Sequence, residues 1–109
     1  MIMKATDTVD APATADTQIA EILHPNGAVR FRYAQKRSGD KTRWVHHGPF
    51  TEFYEDGTVR SKGQYTRGKE SGLWQDFYPN GQLAAKGFYV DGDEFGRWSY
   101  WDEHGNPVG

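Results

Sequence analysis

The chain has no cysteine, which excludes disulfide bridges and thiolate-held metal and makes the cytoplasm the expected location by default. Aliphatic residues are sparse. Only 36% of the 109 residues are hydrophobic, and Ile22, Leu23, Val59, Leu73 and Leu83 are scattered among polar neighbours. A chain of this size makes one domain, and one this polar is not expected to build a thick core. Neither sign of charge dominates: the formal net charge is −2 with a pI near 6.0. Nothing therefore pulls the whole molecule toward nucleic acid or anionic lipid, and binding of either needs a local patch. No apolar run is long enough for a signal-peptide core or a membrane span. The opening "MIMKATDTVDAPATADTQ" is rich in Thr, Ala and Asp, and residues 1–17 are expected to be a disordered tail.

Glycines and aromatic rings are abundant instead. There are 13 glycines, and aromatics reach 15% of the chain, each ring able to bury roughly 150–250 Å². They recur in phase. Residues 48–72 read "GPFTEFYEDGTVRSKGQYTRGKESG", residues 72–96 read "GLWQDFYPNGQLAAKGFYVDGDEFG" and residues 96–109 read "GRWSYWDEHGNPVG". Gly48, Gly72 and Gly96 align at 24-residue intervals, as do Phe50, Trp74 and Trp98, then Phe53, Phe77 and Trp101. Tyr54 aligns with Tyr78, Gly57 with Gly81 and Gly105, Lys62 with Lys86, Gly63 with Gly87, Tyr65 with Tyr89, and Gly68 with Gly92. A fainter first unit carries "HPNG" at 24–27, where the others carry "YEDG", "YPNG" and "DEHG". A period of this length marks stacked supersecondary units rather than a closed globule.

The four-residue motifs are turn sequences between alternating segments, the signature of β-hairpins. Pro25 and Pro79 cannot take positive φ, so a primed two-residue turn is excluded there. A type I turn closed by a left-handed glycine in a G1 bulge is expected instead. Each unit then holds two short antiparallel strands, about 49–55 with 58–67 and about 73–78 with 82–90, and Gly68 and Gly92 open the return to the next unit. Gly63 and Gly87 fall inside strands, where glycine costs stability unless something approaches the backbone closely. A neighbouring ring laid over each glycine meets that condition. From Gly27 to Gly48 is 21 residues, whereas from Gly57 to Gly72 is 15, so six are inserted in the first unit. The stretch "AQKRSGDKTRW" is expected to form a lengthened hairpin with its tip at Ser38, Gly39 and Asp40. The expected fold is all-β, a single-layer antiparallel sheet of about seven or eight strands over residues 18–109. Its units run about 18–47, 48–71, 72–95 and 96–109, and Pro107 discourages a further strand at the far end.

The pattern "GxWxxxYxNGxxxxKGxY" resembles the MORN repeat, most closely its bacterial variant form, over about residues 19–109. The resemblance implies stacked hairpins that serve as a scaffold or partner-binding surface. Through the bacterial variants it implies an antitoxin-like inhibitor that masks another protein, including one encoded by a phage or mobile element. It also implies an alternative, binding of phospholipid, for which "KRSGDKTR" is the one stretch suited to anionic headgroups.

Catalytic and metal-binding patterns are weak. Glu52 and Asp76 lie one unit apart, about 9–10 Å at sheet spacing, a separation open to a glycosidase acid and base. They fill one repeat column that Tyr100 continues, so periodicity accounts for the spacing. His46 and His47 are adjacent and, in a strand, face opposite sides; His24 and His104 sit in turn motifs. "GDKT" at 39–42 resembles the end of a phosphate-binding loop but lacks the upstream glycine. No nucleophile, base and orienting group share a usable spacing, so no catalytic residue, metal or cofactor is expected.

What remains is surface. Tyr54, Trp74, Tyr78, Trp98 and Tyr100 recur along the first strands, and Arg60, Lys62 and Lys86 along the second. A ladder of rings with cations beside it is the expected partner-binding face, for a protein foremost. Single-stranded nucleic acid stacked on the rings is a further alternative, which net acidity opposes. The return tips run from basic (Lys36, Arg37, Lys41, Arg43) through mixed (Arg67, Lys69, Glu70) to acidic (Asp91, Asp93, Glu94). A stack with one basic and one acidic end suits head-to-tail self-association.

Overall fold

The structure, a computed structural model, describes residues 16–109. The tail expected over residues 1–17 lies outside the described residues apart from Asp16 and Thr17, and Thr17 opens the first strand. The strands are β1 (Thr17–Leu23), β2 (Val29–Arg37), β3 (Trp44–Phe53), β4 (Val59–Thr66), β5 (Lys69–Phe77), β6 (Leu83–Val90), β7 (Asp93–Trp101) and β8 (Pro107–Val108). They form one open antiparallel sheet in the order β1 to β8, as the repeat predicts. Every neighbour in space is a neighbour in sequence. The turns after β1, β3, β5 and β7 consequently share one edge of the sheet, and the returns after β2, β4 and β6 share the other.

Turn chemistry sets both edges. In "YEDG" the Gly57 N–H donates to the Tyr54 carbonyl at 2.9 Å and the Tyr54 N–H to the Thr58 carbonyl at 2.8 Å, with Gly57 at φ +92°. The same pair of bonds closes the turns at Gly27, Gly81 and Gly105, the type I turn with a G1 bulge that proline requires. Asn26, Asp56 and Asn80 add side-chain bonds to the N–H two residues on, at 2.9, 3.0 and 2.9 Å. The returns are tighter than expected. Arg67–Gly68 and Asp91–Gly92 place consecutive residues at φ +50° and +85°, and +51° and +86°, a primed turn whose twist matches the flanking strands. The inserted hairpin closes over Ser38–Arg43, with the Ser38 N–H on the Arg43 carbonyl at 2.8 Å. Inside it the Asp40 carboxylate accepts from the Ser38 and Thr42 hydroxyls at 2.7 Å each. These bonds hold its pKa down at about 2, so "GDKT" is a self-capped turn.

Gly48, Gly72 and Gly96 do not start strands. They sit inside β3, β5 and β7 at φ +115°, +72° and +71°, where residues 72–74, for example, lie opposite Gly63 alone between the pairs Lys62↔Gln75 and Gln64↔Ser71. The strands accordingly begin earlier than expected, β3 at Trp44 and β5 at Lys69. This bulge brings Trp74 over the backbone of Gly63 and Trp98 over that of Gly87. A Cβ at either glycine would fall within the indole, nearer than any real carbon–carbon contact. The first unit inverts the pair: Ala20 faces Tyr33, where Phe50 faces Gly63 and Trp74 faces Gly87.

The interior is a stripe rather than a core. Among the described residues, Ala20, Trp74 and Ala85 are the buried hydrophobic ones, and the molecule is 20 Å across its thinnest dimension. Tyr65–Trp74, Trp74–Tyr89 and Tyr89–Trp98 meet edge to face at 5.4, 5.9 and 5.3 Å. Each such pair is worth about 0.5–1.5 kcal/mol beyond its buried area. At the turn edge, ring donors staple each hairpin to the next: His24 Nε2 to the Phe53 carbonyl at 2.8 Å, Tyr54 OH to Phe77 at 2.6 Å and Tyr78 OH to Trp101 at 2.8 Å. At the end of the sheet Pro107 lies in the outer strand β8, opposite Trp101.

Gly63→Ala is expected to destabilise the fold by about 1–3 kcal/mol through overpacking against Trp74. Gly39→Ala, whose Cβ meets nothing within 4 Å, is expected to stay within about 0.5 kcal/mol of wild type. Urea denaturation compares the two, and equal effects would contradict the ring-on-glycine packing.

Candidate functional site

Strand alternation sorts side chains onto two faces. Phe50, Tyr65, Trp74, Tyr89 and Trp98 stand on one, the ring face, joined by the contacts above and by Phe50–Trp74 at 5.5 Å. Lys62 and Lys86 stand on the other. They are paired across Gln75, Lys62↔Gln75↔Lys86, in a row next to the Trp74 row. The residues expected to form one partner-binding face are therefore divided: Trp74, Trp98 and Tyr100 on the ring face, Lys62 and Lys86 on the lysine face. Tyr54 and Tyr78 are spent as staples at the turn edge, with the Arg60 guanidinium 5.5 Å from the Tyr54 ring centre.

The ring face is mostly occupied by its own packing. Trp74 is 8% exposed, and its indole N–H donates to the Gln64 carbonyl at 3.1 Å. The equivalent Trp98 N–H is buried with no acceptor among the described residues. Glu52 and Asp76 both stand here on either side of Ser61 and line one depression of about 400 Å³. Arg30 and Arg60 approach Glu52 at 3.9 Å each, while the Ser61 hydroxyl donates to Asp76. Ser61 is the residue between them, and no histidine, lysine or cysteine lines the depression. No group of three or more His, Cys, Asp or Glu with metal-holding geometry occurs among the described residues.

His46 packs between Tyr33 at 4.4 Å and Tyr65 at 4.8 Å, and His47, on the opposite face, accepts the Arg67 N–H at 3.0 Å. In the inserted hairpin Lys41 pairs with Asp16 at 3.1 Å and Arg37 stacks on Trp44 at 4.7 Å. Lys36 and Arg43 are in no ion pair among the described residues. At the far end of the same edge stand Asp91, Asp93 and Glu94, so the basic and acidic returns occupy opposite ends of the sheet.

The lysine face holds residues that the repeat pattern did not single out. Leu73 pairs with Phe88, and Phe88 with Phe95, in one row across β5, β6 and β7. They are 41%, 52% and 65% exposed, with Val90 beside them at 52%. A depression of about 410 Å³ adjoins the row, lined by Pro49, Thr51, Lys62, Gln64, Leu73 and Gln75. The signal for this patch lies in departures from the repeat. One unit earlier, the columns of Leu73, Phe88, Val90 and Phe95 hold Pro49, Gln64, Thr66 and Ser71. The preceding hairpin forms in the same register with those residues, Pro49 opposite Gln64 where Leu73 is opposite Phe88.

Burial lowers the pKa of His46 below its usual value. Free histidine in the unfolded chain takes up its proton near pH 6.5, so below that pH the unfolded state binds more protons than the folded one. Stability is then highest above about pH 6.5 and declines as pH falls through the folded midpoint. A proton NMR titration of the His46 ring is expected to give a midpoint below the roughly 6.5 of free histidine, and one at or above it would contradict the packing against Tyr33 and Tyr65.

Two segments of the chain match a known family. Residues 47–66 and 70–91 each match the MORN repeat variant, and they coincide with the hairpins β3–β4 and β5–β6. No curated protein and no solved structure matches the chain. MORN repeats are generally associated with protein or membrane-lipid interaction, and the two central hairpins of this sheet are similar to them in sequence and in form.

Proposed function

We propose that the chain is a non-enzymatic module that binds another protein through its lysine face, as an inhibitor or a scaffold. The observation that carries this reading is the exposed row Leu73–Phe88–Phe95. A row of large apolar side chains costs solubility and adds nothing that the sibling hairpin lacks, so it is best understood as a surface covered in a complex. Lys62 and Lys86 run alongside it, and Arg97 shares its face. The matching partner therefore presents apolar residues ringed by carboxylates. The aromatic side chains would act as the anchors and the lysines would set orientation and encounter rate. The match to a family of binding repeats supports the same class of activity.

The sibling unit supplies the test. Phe88→Gln and Phe95→Ser together install the residues that the preceding hairpin carries at those columns. The double variant is expected to keep the wild-type thermal midpoint while losing at least tenfold in affinity for the protein captured by wild type, about 1.4 kcal/mol or more. Undiminished capture, or binding of wild type to anionic liposomes in place of a protein, would overturn the assignment.

A further inference from the structure

The ring face carries a second feature beside its packed rings. Between the units of β5–β6 and β7–β8 lies a groove of about 300 Å³ whose walls are the rings of Trp74, Tyr89, Trp98 and Tyr100. Glu70, Asp76 and Glu94 also line it, and no lysine or arginine does. None of these three carboxylates has a cation within 4.0 Å among the described residues. The neighbourhood is negative enough to reach Tyr89, whose pKa is raised by burial first and then by Glu70, Glu94 and Asp76. Aromatic faces with carboxylates beside them hold an ammonium or guanidinium group, by cation–π attraction and by direct pairing, more strongly once water is excluded.

We propose that this groove receives the basic hairpin of a second copy of the chain, head to tail. The hairpin has the complementary chemistry and lies at the other end of the sheet. Its tip, Ser38–Arg43, is longer than the two-residue returns Arg67–Gly68 and Asp91–Gly92, so it extends past them as a finger. Lys36 and Arg43 are the cations it has to offer, since Lys41 is paired with Asp16 and Arg37 stacks on Trp44. The column of Glu70 and Glu94 holds His46 one unit earlier, so among the described residues this column of carboxylates begins beyond the finger. A contact between different patches of the same molecule is heterologous and builds open chains rather than closed dimers. One finger in one groove is a small interface, in the weak class below about 1,200 Å². The site is distinct from the lysine face and does not depend on what binds there.

Sedimentation of the full chain over a wide concentration range tests this, at about 0.01 M and 1 M salt, where the screening length falls from about 30 to 3 Å. Wild type is expected to gain mass with concentration at low salt and to remain monomeric at high salt. The finger variant Lys36→Glu with Arg43→Glu, and the groove variant Glu70→Lys with Glu94→Lys, are each expected to lose association at least tenfold. An equimolar mixture of the two restores it, because the intact finger of one meets the intact groove of the other. Tyr100→Ser, at a ring 47% exposed that stacks on no glycine, weakens association severalfold and keeps the test decisive if a charge-reversed chain fails to fold. A wild type that stays monomeric at low salt, reversed variants that associate like wild type, or a mixture that stays monomeric would each overturn the proposal.

Discussion

A sheet with one layer has nothing opposite it to bury against, and this molecule meets that constraint with indole rings laid flat on its own backbone. Gly63 and Gly87 leave room for Trp74 and Trp98 only because they lack a Cβ, and the rings reach them only because the bulges at Gly72 and Gly96 turn each strand. The other features of the ring face follow. Tyr65 and Tyr89 fill the spaces between successive indoles edge to face, and the Trp74 N–H finds the Gln64 carbonyl of the strand it covers. Loss of any one part leaves the others without a partner, since among the described residues no second sheet or helix packs on this one.

This economy divides labour between the two faces. On the ring face the columns that pack, Phe50 with Trp74 and Trp98, Gly63 with Gly87 and Tyr65 with Tyr89, change little from unit to unit. The lysine face is free to vary, because a residue there contacts solvent and its cross-strand neighbours alone. The exposed apolar row of Leu73, Phe88 and Phe95 arises in that freedom, beside lysines that recur. A similar freedom at the return edge allows a basic finger at one end and carboxylates at the other. Folding is thus carried by the periodicity, and the proposed recognition by the departures from it.

The fold was readable from residues because its determinants are local. Proline at 25 and 79 decided the turn type, glycine at 63 and 87 required a covering ring, and the two spacings of 21 and 15 residues located the finger. Misplaced details came from backbone geometry that side chains do not announce. The glycines at 48, 72 and 96 mark bulges inside strands, and positive φ at Arg67 and Asp91 comes from the shortness of the return. For the proposed binding surface, alignment of the units singles out what recurs, Trp74, Trp98, Lys62 and Lys86. One-residue alternation then put the rings and the lysines on opposite sides. Phe88 and Phe95 escaped notice because they do not recur, and exposure, which distinguishes a docking residue from a packed one, is a property of the assembled sheet.

The stacking of indole on glycine is the premise most open to direct observation. Protons held over the face of an aromatic ring resonate well upfield, so the Hα resonances of Gly63 and Gly87 are expected far upfield of that of Gly39, which has no atom close to its missing side chain. Two-dimensional NMR of the intact chain reads all three at once. Ordinary glycine shifts at positions 63 and 87 in the folded protein would contradict the account at its root.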